Sequence, residues 1–201
     1  MMNNKKFLSL ILVGWLLFLF GCAKISPVTT SILPINTWDV VTEQPAIEQS
    51  TIERQTYENT TDGFAVQYPG DRTFEENVYG SSVMFFTPTL SGDTLKENVG
   101  IMKKALDKNY TLDEYYAITK PELIKLIPGF TEISNETIKI NDLDAQKLIY
   151  VWTQGATKLK WEQVYLIKNN AVYIVSYTAT TATFADYAQK IDEMVATLEI
   201  K

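Results

Sequence analysis

Four consecutive β-strand patterns in the second half of the chain limit the fold more strongly than any other part of the sequence. Each is rich in β-branched and aromatic residues, which favour strands. They cover residues 131–140, 145–153, 158–168 and 171–178. Asn141-Asp142 and Asn169-Asn170 separate neighbouring patterns, and asparagine tolerates the positive φ of tight hairpin turns. The sequence therefore predicts an antiparallel sheet built from successive hairpins.

Both faces of this sheet carry apolar side chains. Tyr173, Val175 and Tyr177 point to one side, whereas Val172 and Ile174 point to the other. An antiparallel sheet usually leaves one face to water. We therefore expect other elements to cover both faces.

Two helices are predicted to supply that cover. The first begins at Thr111, which forms a capping box with Glu114, and Pro121 should kink or split it. The second begins at Thr183 and has an apolar stripe along one side. Three shorter strand patterns, at residues 64–68, 82–87 and 99–102, precede the first helix. The predicted fold is α+β, with a central antiparallel sheet of about six to seven strands and helices on both faces.

The N-terminus has the pattern of a secretory signal peptide at residues 1–21. Lys5 and Lys6 precede an apolar run at residues 7–20, which is short for a transmembrane helix. Leu19-Phe20-Gly21-Cys22 resembles the lipobox of bacterial and archaeal lipoproteins, which predicts a lipid on Cys22. The alternative is a free or disulfide-forming thiol.

Residues 22–57 are interpreted as the lipidated cysteine and a flexible linker, because this segment is rich in Pro, Ser and Thr. Residues 58–201 are predicted to form the folded domain. A lipid on the cysteine would anchor this domain at the extracytoplasmic face of a membrane.

The composition excludes several kinds of function. The formal net charge is −6, which opposes binding to nucleic acid phosphates. Histidine is absent from the sequence, so triads and zinc sites that depend on it are excluded. No cofactor is indicated, and we expect a protein that is not an enzyme.

Paired carboxylates leave two alternatives open. The pairs are Glu75-Glu76, Asp113-Glu114 and Asp142-Asp144. A hydrolase could use two carboxylates, and Asp142 with Asp144 could bind calcium. The ordinary interpretations are a solvated strand edge for the first pair, a helix cap for Glu114 and turn chemistry for Asp142.

Three aromatic residues are candidates for a partner-binding patch. Tyr79 is followed by a glycine, and Trp152 and Trp161 flank the turn at residues 154–157. The alternative is that these rings belong to the core, where large aromatic residues supply much of the buried surface.

The order of the elements resembles the PsbP-like family. The similarity covers residues 62–200 and rests on the segments at residues 62–69, 112–115, 141–145 and 173–178. The family includes a lumenal extrinsic subunit of photosystem II that supports calcium and chloride retention, and lipoproteins of non-photosynthetic prokaryotes. It is similar in architecture to the Ran-binding Mog-type proteins. The resemblance implies a protein partner at the membrane and, as an alternative, calcium or small-ligand binding.

Overall fold

The structure is a computed structural model, and it describes residues 52–88 and 95–201. This part contains ten β-strands and two α-helices. The strands are β1 Arg54–Asn59, β2 Phe64–Pro69, β3 Thr73–Val78, β4 Ser81–Phe86, β5 Asn98–Ala105, β6 Thr131–Ile140, β7 Leu143–Gln154, β8 Thr157–Lys168, β9 Ala171–Thr180 and β10 Glu199–Ile200. The helices are α1 Leu112–Leu126 and α2 Phe184–Val195.

Seven strands form the central sheet in the order β3-β4-β5-β9-β8-β7-β6. Every neighbouring pair in it is antiparallel. The predicted hairpins from β6 to β9 are confirmed. Asn141, Asn169 and Asn170 have φ of 52°, 52° and 57° in their turns. The predicted α+β fold with a sheet of about seven strands is therefore confirmed.

Each face of the central sheet has its own apolar core. Tyr115 and Leu123 of α1 pack on the face that carries Trp161. The other face is covered by α2 and by a second sheet with the order β1-β2-β10, which contribute Ile191 and Phe64. Helices on both faces were predicted correctly, whereas the second sheet was not predicted.

The domain begins earlier than the boundary predicted at residue 58. Strand β1 starts at Arg54 and pairs with β2, so residues 54–57 belong to the fold and not to the linker. Tyr57 is 6% exposed and packs edge-on against Phe85, with ring centroids 5.7 Å apart. Residues 22–51 of the predicted linker, which include Cys22, and the predicted signal peptide lie outside the described residues.

Helix α1 confirms the predicted cap, and Pro121 does not split it. Thr111 Oγ1 accepts from the Glu114 amide, and the Glu114 carboxylate accepts from the Thr111 amide. The helix continues past Pro121 without splitting. Proline removes the hydrogen bond to the Ala117 carbonyl, but Ala117 and Pro121 are both exposed, so water can reach that carbonyl.

Candidate functional site

The structure does not form the aromatic patch that we predicted. Trp152 and Trp161 are each 3% exposed, and their ring centroids lie 5.7 Å apart in the core beneath α1. Tyr79 lies between β3 and β4, toward the opposite edge of the sheet. For the two tryptophans the alternative of a core position is confirmed and the patch is not, because the alternation of β7 and β8 turns both rings toward α1.

The acidic pair at Asp142 and Asp144 lies at the exposed hairpin between β6 and β7. The Asp144 carboxylate forms an ion pair with Lys139, with Oδ1 2.7 Å from Nζ. No group of three or more His, Cys, Asp or Glu residues that could hold a metal occurs within residues 52–88 and 95–201. The calcium expectation gains no support here, since an ammonium group already lies beside Asp144.

Glu75 and Glu76 lie on β3, an edge strand of the central sheet, as predicted for a solvated edge. Glu76 also accepts a hydrogen bond of 2.6 Å from the Tyr57 hydroxyl. Burial and this carboxylate raise the pKa of Tyr57 to about 12. Glu76 therefore connects the central sheet to β1 of the small sheet.

Three ionisable side chains meet between α2 and the central sheet, and we call them the Lys147 triad. Lys147 Nζ on β7 lies 3.2 Å from Glu162 Oε2 on β8 and 2.5 Å from Asp192 Oδ1 on α2. Glu162 is 2% exposed, and its Oε1 is buried without a hydrogen-bond partner. Buried charges in proteins are normally paired, and here one lysine serves two carboxylates.

The two buried members of the triad have shifted pKa values. Burial raises the pKa of Glu162 to about 7, although the charge of Lys147 opposes the shift. Burial lowers the pKa of Lys147, but the bond to Asp192 and the charge of Glu162 outweigh this effect and raise it above its ordinary value. Near neutral pH, Glu162 is therefore the member of the triad that gains or loses a proton.

Sequence reasoning missed the Lys147 triad, although a local signal was present. Lys147 lies between Ala145 and Ile149 on the strand face that points to α2, and Glu162 has the same orientation as Val164. A charge at an inward position of an apolar alternation indicates a buried ionisable group. The three-dimensional register was needed to identify its partners.

A second polar group lies near the start of α2. Glu97 is 4% exposed and accepts hydrogen bonds from the hydroxyls of Thr183, at 2.6 Å, and Thr87, at 3.2 Å. Arg72 is 7% exposed, and its Cζ lies over the Tyr187 ring, 5.7 Å from the ring centroid. Its Nε and Nη1 are buried without a hydrogen-bond partner. Burial lowers the pKa of Arg72.

Two exposed isoleucines lie on α1 and β6, close in sequence to a polar contact between these elements. Glu132 of β6 accepts a hydrogen bond of 2.5 Å from Tyr116 and forms an ion pair of 2.8 Å with Lys120. Ile124 follows on the same side of α1, since positions 116, 120 and 124 are separated by four residues. Ile124 is 55% exposed, and Ile133, at the β-bulge of β6, is 56% exposed. These two isoleucines are the α1–β6 surface.

The predicted lipid attachment site, Cys22, lies outside the described residues. In the part of the chain that the structure describes, no helix is both long and apolar enough to cross a membrane.

Three solved structures share this fold at low sequence identity. Cyanobacterial PsbP (CyanoP) from Synechocystis sp. PCC 6803 is 13% identical, with a TM-score of 0.57 over 77% of this chain and 96% of that one. LpqN of Mycobacterium tuberculosis, involved in cell envelope biogenesis, is 10% identical, with a TM-score of 0.55 over 74% and 91%. The Saccharomyces cerevisiae Ran-binding protein Mog1p is 10% identical, with a TM-score of 0.55 over 75% and 96%. At these identities the likeness shows the fold alone, and it confirms the predicted PsbP-like architecture.

No curated protein sequence matches this chain. The DcrB family model matches residues 72–197, which span more than half of the chain and run from Arg72 through the Lys147 triad to the end of α2. The chain therefore belongs to the DcrB family.

Proposed function

We propose that the protein is a non-catalytic binding module, held by a lipid on Cys22 at the extracytoplasmic face of a membrane, that supports a membrane-associated protein complex. Leu19-Phe20-Gly21-Cys22 supports the anchor. The fold is compatible with protein binding, since Mog1p is a Ran-binding protein, and with work at the envelope, since LpqN is involved in cell envelope biogenesis.

The α1–β6 surface is the observation that carries the binding role. Single exposed apolar residues are common on proteins, but these two isoleucines belong to a helix and a strand that the Glu132 side chain links through Tyr116 and Lys120. In this proposal the two isoleucines form the apolar centre of the interface, and the Lys120–Glu132 ion pair contributes to its polar rim. A protein partner docked here would remove both isoleucines from water.

Site-specific photo-crosslinking in intact membranes tests this proposal. A photoreactive residue would replace Ile124 or Ile133 in the full-length lipoprotein, and Ile118 provides a matched control. Ile118 is 46% exposed and lies on a different side of the same helix. We expect the same protein to be cross-linked from positions 124 and 133 and not from 118. Equal cross-linking from all three positions would contradict the proposal.

A binding measurement with the purified partner completes the test. Ile133→Glu should weaken binding by about 2 kcal/mol or more if Ile133 anchors the interface, with Ile118→Glu as the control. The double variant Asp142→Asn/Asp144→Asn should bind normally and should complement a deletion strain. Loss of complementation with binding intact would favour the calcium or hydrolase alternative.

A further inference from the structure

The sequence contains two arginines. Within the described residues, Arg54 forms an ion pair and Arg72 does not. Arg54 lies near the C-terminal end of α2, where its Nη2 is 2.6 Å from the Glu193 carboxylate and its Nη1 donates to the Glu193 carbonyl. Arg72 lies near the other end of the same helix and is 7% exposed. None of the ion pairs within the described residues includes Arg72. Arg72 is thus a buried cation without a bonded counter-ion.

A buried guanidinium without a bonded counter-ion is unfavourable for folding. Arginine stays protonated even when burial lowers its pKa, so it cannot become neutral as a buried lysine can. Buried charges are otherwise paired or hydrogen-bonded, because desolvation strongly penalises an isolated charge. A methionine would fill similar space without this penalty.

Neither neighbouring carboxylate forms an ion pair or a side-chain hydrogen bond with Arg72. Glu97 is committed to the hydroxyls of Thr183 and Thr87. Asp71 precedes Arg72 in the chain and is exposed. The negative charges of both carboxylates act against the lowering of the Arg72 pKa by burial. Its Nε and Nη1 nevertheless remain without an acceptor.

We propose that Arg72 is the central residue of a small-anion site that takes the carboxylate or phosphate group of a ligand. The Tyr187 ring lies against the guanidinium. The ring contact leaves the Nε–H and Nη1–H groups without an acceptor, and planar guanidinium donors match the oxygens of carboxylates and phosphates. The site is separate from the α1–β6 surface, and its existence does not depend on partner binding there.

The surrounding charges limit which anion can bind. Glu97 and Asp71 place negative charge near the site, so a singly charged group is favoured over a doubly charged one. The same repulsion makes the site weak for a free ion, with a dissociation constant of about 1 mM. A larger ligand would gain further affinity from contacts beyond the anion itself.

NMR spectroscopy of the purified full-length protein in a non-ionic detergent tests the site directly. The side chains give two Nε–H signals, because the chain has two arginines, and Arg54 is the internal control. Sodium phosphate or sodium acetate would replace sodium chloride at pH 6 and constant ionic strength. We expect the Arg72 signal to move saturably with phosphate, acetate or both, while the Arg54 signal stays in place. A response to phosphate alone identifies a phosphate site, and a response to acetate alone identifies a carboxylate site.

Thermal unfolding provides a second readout. The oxyanion that moves the Arg72 signal should raise the melting temperature of the wild type by about 3–6 °C at ten times its dissociation constant. Arg72→Met should abolish this rise, and Arg54→Met should retain it. The proposal is overturned if neither anion moves the Arg72 signal more than chloride does, a result that the wild type alone can give. It is also overturned if a folded Arg72→Met variant keeps the full rise.

Discussion

The ammonium group of Lys147 lies 3.2 Å from the Glu162 carboxylate and places two opposite charges inside a largely apolar layer. Asp192 draws the same ammonium toward α2. A buried pair adds little stability compared with apolar residues of the same volume, but removal of one partner leaves the other charge uncompensated. The triad therefore makes the packing of α2 on the sheet sensitive to charge.

Lys147→Met should lower the free energy of unfolding by about 3 kcal/mol at pH 8.5, where Glu162 is ionised and would lose its partner. Urea unfolding measures the change. The matched control is Lys139→Met, which breaks the exposed pair with Asp144 and should change stability by less than about 1 kcal/mol. Equal losses in the two variants would contradict a buried, charge-sensitive triad.

The stability of the protein should depend on pH through Glu162. Burial raises the pKa of this carboxyl from its ordinary value of 4.5 to about 7, so the folded state keeps a proton that the unfolded chain releases between these values. The stability from this proton is complete below pH 4.5 and is lost as the pH rises through about 7. The difference in unfolding free energy between the wild type and Glu162→Gln should shift by roughly 3 kcal/mol across this window. Denaturant unfolding from pH 4.5 to 8.5 measures this difference. If the unfolding free energies of the wild type and Glu162→Gln change with pH in parallel, the prediction is wrong.

The two asparagines of the β8–β9 turn should respond differently to glycine. Both have positive φ, which glycine adopts without steric strain, so Asn169→Gly should be neutral or stabilising by up to about 1 kcal/mol. Asn170 Nδ2 also donates 2.9 Å to the Leu106 carbonyl. Asn170→Gly loses that bond and should be less stable than Asn169→Gly by about 1 kcal/mol. Melting temperatures that rank the variants in the opposite order would refute this assignment.

Cys22→Ser should abolish lipid attachment and leave an unprocessed or released protein. The prediction rests on Leu19-Phe20-Gly21-Cys22. Metabolic labelling with a palmitate analogue, followed by mass spectrometry of the N-terminal peptide, measures the modification. A wild-type protein without acyl mass on Cys22 would remove the basis for anchoring.

The parts of the fold that were predicted correctly depend on neighbouring residues. The hairpins from β6 to β9 follow from alternation and from asparagine turns, and the α1 cap follows from Thr111 and Glu114, three residues apart. Strand β1 was missed, and β3 was recognised only as a strand edge at Glu75-Glu76, because their side chains are mostly polar and exposed. Pairing with β2 and β4 makes these segments strands, and local sequence does not encode that pairing.

The candidate sites also depend on contacts that the local sequence does not encode. Lys147, Glu162 and Asp192 come from two strands and a helix, and only the strand register and the packing of α2 bring them together. Trp152 and Trp161 were candidates for a surface because the sequence could not specify which sheet face α1 would cover. Arg72 lies in the short turn between β2 and β3, and its contact with Tyr187 depends on how α2 packs, which the local sequence does not specify.

The pairing of β10 with β2 has a consequence for how the chain acquires its structure. Glu199 and Ile200 complete the small sheet against Ala65 and Phe64, near the opposite end of the described fold. Contacts between such distant segments form slowly, because the entropy cost of closing a long loop comes before the contacts can stabilise the chain. A chain that crosses a membrane from its N-terminus would therefore expose the apolar side of β2 until its final residues had emerged, and during that interval it would depend on protection from aggregation.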